Sequence, residues 1–253
     1  MENLKTNTLN TNTTISISKI LRTSIVIALL LLIPNLFAQT QELRFDTIED
    51  HSYADGIGYE YLLADNVRLR DCPSTQCTAI TTIKIGTQLR LINSNETQEV
   101  INGVTSSWYK VKLGPDTGWI WGGMIAKNVF KSKNDPNVKF AFGLDRFNEQ
   151  EFADQYQIRA YKNGVQIDKI TIKSNTVNAL MAKKIEKENL NDVICLQTPT
   201  VGSFGNATKP IYIVWEGNSF KKVSSLSAAV MKVKDDELSS EENCAIFPLE
   251  MNN

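Results

Sequence analysis

Histidine is almost missing from this sequence: His51 is the single one among 253 residues. One imidazole excludes Cys₂His₂ and His₃ metal sites, and it leaves Ser-His-Asp or Cys-His catalysis dependent on that one side chain. His51 lies in a polar segment ahead of the first predicted strands. We therefore expect a protein that is not an enzyme and that needs no metal or cofactor.

An excess of charge of one sign is also missing, since 27 Lys and Arg stand against 28 Asp and Glu. A net charge of −1 provides no basic field for a nucleic-acid partner. The counts of 13 Gly and 7 Pro are ordinary, which excludes collagen and long low-complexity chains. At 253 residues the chain has room for one or two globular domains.

The amino terminus has the pattern of a secretory signal peptide. Lys5, Lys19 and Arg22 precede an apolar run at 25–33, and Ala38 is the small residue at the expected cleavage point. Nine apolar residues are too few for a spanning helix, which needs about 20. We predict a signal peptide at 1–38, with an uncleaved membrane anchor as the alternative. The mature protein is then periplasmic or extracellular, without a stable membrane span, and begins with a polar leader at 39–57.

Four cysteines in an exported chain indicate disulfide bonds. Cys72 and Cys77 lie close together in one loop, whereas Cys195 and Cys244 are both in the carboxyl-terminal half. The simplest pairing is therefore Cys72–Cys77 and Cys195–Cys244. A zinc site and free thiols are the alternatives, although no histidine accompanies these cysteines.

Residues 58–128 contain short alternating segments separated by turn residues. Five such segments within about 70 residues indicate a small closed β-barrel. In this scheme Tyr109 and Val111 face the core, 93–96 forms a polar tip, and Ile120 points away from the tryptophans on either side of it.

Several of these segments resemble the bacterial SH3 domain, in which N-V-R-x-G-P-S-T is followed by K-G-T, W-x-K-V and G-W-V. The matching pieces are Asn66-Val67-Arg68-Leu69-Arg70, Pro73-Ser74-Thr75, Ile85-Gly86-Thr87, Trp108-Tyr109-Lys110-Val111 and Gly118-Trp119-Ile120. They occur in the family's order over about a quarter of the chain. Two cysteines flank Pro-Ser-Thr, and Ile85 replaces the usual lysine. The resemblance implies a barrel that binds cell-wall peptide or glycan, or an envelope protein, without catalysis by the barrel.

Aromatic and basic residues of the barrel are the candidates for ligand binding. Trp108 and Trp121 are predicted to point away from the core, and two glycines after Trp121 would leave space beside it. Aromatic rings stack on sugars or peptides, and guanidinium groups hold carboxylates. The candidate set is Trp121, Trp108, Tyr61, Tyr59, Arg68 and Arg70. The alternative is that Trp119 closes the barrel with Trp108 packed against it, and that the two arginines line a solvated strand face.

Residues 129–136 read as a linker, and 137–251 as a β-rich domain of a type that the sequence does not identify. Asn163-Gly164 between alternating runs predicts a hairpin, and a phase slip predicts a bulge near Asp168. Apolar spacing over 176–188 predicts one helix. An acidic run at 235–242 is a solvated loop or, alternatively, a calcium site.

The sequence thus predicts a mainly β, non-catalytic, exported protein that binds a cell-envelope ligand through an SH3-like barrel. A protein–protein adaptor of the periplasm or cell surface is the alternative. A hydrolase carried by 137–251 is the third possibility, because paired carboxylates form in space rather than in sequence.

Overall fold

The computed structural model describes residues 42–51, 58–148, 153–174, 180–185, 191–197 and 210–223. The predicted signal peptide, the acidic run and Cys244 lie outside the described residues. Within these ranges, no helix is long and apolar enough to cross a membrane.

The first sheet curls into an SH3-like half-barrel, as the alternation predicted. Its strands are β1 (Glu42–Leu43), β2 (Tyr59–Tyr61), β3 (Val67–Arg70), β4 (Ala79–Ile83), β5 (Gln88–Ile101), β6 (Val104–Leu113) and β7 (Asp116–Trp121). The order is β2-β5-β6-β7-β3-β4, and β1 pairs in parallel with β6. Tyr109, Val111 and Ile120 are fully buried inside it, which confirms the face predicted for the core.

The segment predicted as a polar leader is instead part of the barrel where it is described. Leu43 and Phe45 are buried, and the Phe45 ring meets the Tyr109 ring edge-on at 5.6 Å between centroids. The backbone N–H of Phe45 donates to the Tyr109 hydroxyl at 2.9 Å. Residues 42–51 are therefore not a separate polar leader, because β1 pairs with β6 and the apolar side chains of Leu43 and Phe45 are buried against the barrel.

The turn between β5 and β6 lies at Asn102-Gly103, where both residues have positive φ. That geometry suits a two-residue hairpin and favours Asn and Gly. The polar tip predicted at 93–96 is therefore wrong, because these residues lie within β5. The register shifts between Ser94 and Gln98, so residues 95–97 form a bulge opposite Trp108.

The second sheet has four strands: β8 (Asn128–Lys131), β9 (Val138–Asn148), β10 (Ala153–Lys162) and β11 (Val165–Lys173). Its order is β11-β10-β9-β8. The predicted turn at Asn163-Gly164 is confirmed, and so is a bulge near Asp168. Strand β8 occupies the first part of the predicted linker at 129–136, which is therefore a paired strand there rather than a connection.

The third sheet contains β12 (Met181–Ile185), β13 (Asp192–Gln197), β14 (Ile211–Trp215) and β15 (Phe220–Val223), in that order. The helix predicted at 176–188 is wrong for residues 181–185, which pair antiparallel with β13. A short apolar run fits both the helical period of about 3.6 residues and the strand period of about 2, so its sequence does not choose between helix and strand. Here the pairing with the buried strand β13 stabilises the strand. The described residues include no α-helix.

The second sheet packs on both its neighbours. One face carries Phe140, which contacts the ring of Trp215 in the third sheet at 5.5 Å. The opposite face meets the barrel, where Leu63 and Ile85 share a buried cluster with Tyr161. The barrel and the second sheet thus form adjacent walls of one compact unit.

The buried carboxylate of Asp192 pairs with a lysine of its own sheet and connects the third sheet to the end of β8 through hydrogen bonds. The Asp192 carboxylate lies 3.2 Å from the Lys184 Nζ, and it accepts hydrogen bonds from the Ser132 hydroxyl and from the backbone N–H of Lys133. Asp192 is only 1% exposed. These bonds supply the partners that a buried carboxylate requires.

Candidate functional site

A cleft of about 480 Å³ opens between the barrel and the second sheet. The barrel side contributes the start of β3, the β5–β6 turn and the end of β7. The second sheet contributes the neighbouring parts of β9 and β10. The polar, charged or tryptophan residues of the lining are Asp65, Asn66, Arg68, Arg70, Thr75, Asn102, Trp108, Trp121, Asp145, Gln157 and Arg159.

Two tryptophans form the floor of this cleft. Trp108 is 3% exposed and Trp121 is 5% exposed, so both belong to the core as well as to the cleft. The Trp108 indole Nε1–H donates to the Glu99 carboxylate, and the Trp121 Nε1–H lies 3.3 Å from the carbonyl oxygens of Glu99 and Ser106. Both indole N–H groups therefore have partners inside the protein, and only small parts of the rings face the cleft.

The expectation that Trp108 and Trp121 stand on an open face is consequently wrong. Both rings are buried, their N–H groups bond to Glu99 and Ser106 of the barrel, and residues of the second sheet line the other side of the same cleft. Nor do the glycines leave space beside Trp121. A Cβ built on Gly123 would lie 2.0 Å from the Trp121 ring, so the ring itself fills that space.

The two predicted arginines both line the cleft, and they are held differently. Arg68 is exposed, and its guanidinium makes no hydrogen bond or ion pair within the described part of the chain. Arg70 is half-buried, and its Nη1 donates to the carbonyl oxygen of Cys77. The position of the Arg70 guanidinium is thereby tied to the loop that follows β3.

That loop is closed by the predicted disulfide between Cys72 and Cys77, whose Cα atoms are 5.5 Å apart. Thr75, inside the loop, also lines the cleft. Because both sulfurs are bonded to each other, neither is a thiolate ligand for zinc. Cys195 is disulfide-bonded too. Its predicted partner, Cys244, lies outside the described residues, so that pairing stays a prediction.

The opposite wall belongs to the second sheet and was not among the sequence candidates. The Arg159 guanidinium donates from Nε to the Gln157 side-chain oxygen at 2.7 Å and from Nη1 to the Gln166 side-chain oxygen at 2.9 Å. Gln157 is itself fixed, since its Nε2 donates to the carbonyl oxygen of Leu144 at 2.9 Å. Burial lowers the pKa of Arg159, while the charges of Asp145 and Asp65 act in the opposite direction.

A bulge brings Asp145 to the cleft. Leu144 pairs with Tyr156 and Arg146 pairs with Gln155, so Asp145 has no partner across the ladder. Bulges of this kind redirect a side chain next to a binding site. The Asp145 carboxylate lies 2.7 Å from the Lys169 Nζ, which offsets its negative charge.

The charge balance of the cleft favours an anionic ligand. Three guanidinium groups line it, together with the two carboxylates of Asp65 and Asp145. One of those carboxylates is paired with Lys169, outside the lining. The Asp65 carboxylate accepts the backbone N–H of Ile85 at 3.3 Å, so it also serves to shape the loop before β3.

The other two candidates, Tyr59 and Tyr61, lie away from the cleft. Tyr59 is 44% exposed, and the Arg90 guanidinium lies 5.8 Å from its ring centroid beside a smaller cavity of about 270 Å³. The Tyr61 ring is 5.5 Å from the Lys139 Nζ. The structure therefore brings together four of the six candidates and separates these two from them.

Comparison with known families supports the reading of the barrel. Residues 65–126 match the family of bacterial SH3 domains, which confirms the resemblance seen in the sequence motifs. The match covers the β3–β7 part of the barrel and ends before β8. No curated protein and no solved structure shows significant similarity to the chain.

Proposed function

We propose that this chain is an exported, non-catalytic protein that binds a cell-wall peptide or glycan in the cleft between its SH3 domain and its second sheet. The observation that carries the proposal is the cleft itself, where a tryptophan floor meets three guanidinium groups. Bacterial SH3 domains are often cell-wall binding modules, and the matched residues 65–126 supply most of this lining.

The size and chemistry of the cleft suit a short segment of such a ligand. Ligand clefts of about 300–1,000 Å³ take small molecules or a few units of a polymer. The exposed edges of the Trp108 and Trp121 rings offer an apolar surface for a peptide or a sugar face. Arginine binds carboxylates with two parallel hydrogen bonds, which fixes the orientation of the ligand as well as holding it.

The lining supports binding rather than catalysis. It contains no cysteine and no histidine, the usual side chains for a nucleophile and its base. A hydrolase would have to rely on Asp65 and Asp145. Asp145 is paired with Lys169, and Asp65 holds a backbone N–H. Both carboxylates thus have structural partners, which is why we propose a binding role.

Export of the chain rests on two observations. The amino terminus has the signal-peptide pattern, and disulfides such as Cys72–Cys77 form and persist mainly in oxidising compartments such as the periplasm or the cell exterior.

Sedimentation with purified peptidoglycan sacculi tests the proposal. The mature chain should sediment with sacculi at low and moderate salt. Arg68→Ala should weaken this binding, because Arg68 lines the cleft and has no partner within the described ranges that its loss would disturb. Arg90→Ala is the matched control, since Arg90 is an exposed barrel arginine beside Tyr59. Absence of sedimentation, or equal losses in the two variants, would refute binding in the cleft.

The same suspension distinguishes binding from hydrolysis. If the protein only binds, the turbidity of the sacculi should stay constant over hours at catalytic concentrations of protein. A steady loss of turbidity would show that the protein hydrolyses the sacculi, if Asp65→Asn or Asp145→Asn abolishes that loss. This result would refute the non-catalytic role.

A protein partner is the second candidate, and the edge strand β11 favours it. Val165 is 61% exposed and Ile167 is 41% exposed on this strand. An exposed apolar edge strand can pair with an extended segment of another protein. Substitution of Val165 and Ile167 by Lys should leave sacculus binding unchanged if the cleft is the site, and should abolish capture of an envelope protein if the edge is the site.

A further inference from the structure

We propose that the ligand of the cleft carries a carboxylate, and that Arg159 of the second sheet is a ligand-binding residue together with Arg68 and Arg70 of the barrel. This inference rests on the proposed function and names the chemistry of its ligand. It also assigns part of the site to a strand that lies outside the matched SH3 domain.

The first argument is that neutral groups hold the Arg159 guanidinium, while the carboxylates of Asp65 and Asp145 act on it only from beyond ion-pair distance. Two of its N–H groups are used by the side-chain oxygens of Gln157 and Gln166, both of which are neutral. A guanidinium has five N–H donors, so donors remain after these two bonds. No carboxylate of the described residues forms an ion pair with Arg159. A half-buried cation without a paired anion is costly, and a bound anion removes that cost.

The second argument is that the sheet holds the Arg159 guanidinium in a fixed orientation. Gln157 is 5% exposed and is bonded to the backbone of β9, so its oxygen is a rigid acceptor. The Nε–H bond to it and the Nη1–H bond to Gln166 restrain the plane of the guanidinium. A planar cation that is fixed before binding loses little side-chain entropy when a planar carboxylate pairs with it.

The third argument is that the barrel presents arginines to the same space. Arg70 is tied to Cys77 and Arg68 has a free guanidinium, and both line the cleft that Arg159 lines. Among the lining carboxylates, Asp145 is already paired with Lys169. The unbalanced charge of the cleft is therefore positive, as a carboxylate ligand requires.

A matched pair of arginines makes a sharp test. Arg159 and Arg146 both lie on the second sheet, and each donates from Nε to the side-chain oxygen of a glutamine, at 2.7 Å and 2.9 Å respectively. Arg146 does not line the cleft. Arg159→Gln and Arg146→Gln therefore remove the same charge and the same Nε–H bond to a glutamine. Arg159→Gln also removes the bond to Gln166, and it is the one of the two that changes the cleft.

The probe is a peptidoglycan stem tripeptide with free carboxylates, compared with the same peptide in which every carboxylate is amidated. Isothermal titration of the mature chain should give tighter binding of the acid peptide. Arg159→Gln should weaken that binding about 10- to 100-fold, the range expected for loss of a charged hydrogen bond. Arg159→Gln should leave the affinity for the amidated peptide unchanged. Arg146→Gln should change the affinity for neither peptide. Far-UV circular dichroism and thermal unfolding verify that both variants fold.

Arg159→Lys adds a readout that a purely structural role would not give. Lysine keeps the charge but loses the planar fork, so affinity for the acid peptide should lie between those of the wild type and Arg159→Gln. Equal affinity of the wild type for both peptides would overturn the proposal, as would equal effects of Arg159→Gln and Arg146→Gln. Tighter binding of glycerol phosphate than of the acid peptide would show that the anion is a phosphate and would also overturn it.

The failure of this inference and that of the proposed function are distinguishable. If the protein binds sacculi but amidation of the peptide does not change its affinity, the protein binds the wall through neutral contacts. Only the proposal of a carboxylate ligand is then refuted. If the acid peptide binds through Arg159 but sacculi do not, the cleft recognises carboxylates on another partner and the wall-binding function is refuted.

Discussion

Truncation of Trp121 should destabilise the protein about as strongly as truncation of the core residue next to it. Ile120 is fully buried and Trp121 is 5% exposed. Ile→Ala in a packed core costs about 2–5 kcal/mol, and Trp→Ala costs about 3–5 kcal/mol. Trp121→Ala would empty the space beside Gly123 that the ring fills, and would leave two carbonyl oxygens without its N–H.

Urea unfolding followed by far-UV circular dichroism measures both losses. The free energy of unfolding should fall by about 3 kcal/mol or more for Trp121→Ala and by a similar amount for Ile120→Ala. Trp119→Ala is the internal comparison, because Trp119 is only half-buried on the same strand, and its loss should be the smallest of the three. If Trp121→Ala costs less than about 1 kcal/mol while Ile120→Ala costs more than about 2, the ring is a surface residue and the covered cleft floor is refuted.

Three further predictions concern stability. Burial raises the pKa of Glu60 to about 7 from its ordinary value of 4.5, so the folded state holds a proton that the unfolded state releases between these values. The free energy of unfolding should therefore fall as pH rises from about 4.5 to 7, by about 1–2 kcal/mol after allowance for solvent screening, and Glu60→Gln should remove this slope in pH-dependent urea titrations. Replacement of Cys72 and Cys77 by Ser should lower the free energy of unfolding by about 2 kcal/mol, and an unchanged urea midpoint would show that the loop is held by other contacts. Asp192→Ala should cost about 3–5 kcal/mol because it removes a buried carboxylate that pairs with Lys184 and accepts hydrogen bonds from Ser132 and Lys133, whereas a loss under about 1 kcal/mol would mean that these contacts contribute little to stability.

Sequence patterns predicted the fold where local chemistry determines it. The alternation around Tyr109 identifies the barrel core, and Asn163-Gly164 identifies a hairpin, because such turns need positive φ at both residues. The same signal at Asn102-Gly103 marks the β5–β6 turn and was available in the sequence. The polar residues at 93–96 favour an earlier tip, but in the structure they lie within β5, where Asn95 and Glu96 form a bulge together with Thr97.

The sequence predicts the barrel residues of the candidate site but not those of the second sheet, because their place in the cleft depends on how the two sheets pack. Alternation shows that Trp108 points away from the barrel core, but it cannot show what lies on that side. Residues of the second sheet line the other side of the cleft, so the expected open face is the floor of a cleft instead. Arg159 lies in β10, and it is not among the residues that the sequence motifs single out. Nothing local indicates that its face meets the barrel, because that contact joins residues far apart in the chain.

Nuclear magnetic resonance of the tryptophan indole N–H groups tests most directly whether the cleft is the binding site. The chain has four tryptophans, of which Trp108 and Trp121 line the cleft, whereas Trp119 and Trp215 do not. Single Trp→Phe variants assign the four signals, and titration with soluble peptidoglycan fragments then reports the site. The indole signals of Trp108 and Trp121 should shift, while those of Trp119 and Trp215 stay in place. Binding that shifts only Trp119 or Trp215, or that leaves all four signals unchanged, would contradict a ligand site in this cleft.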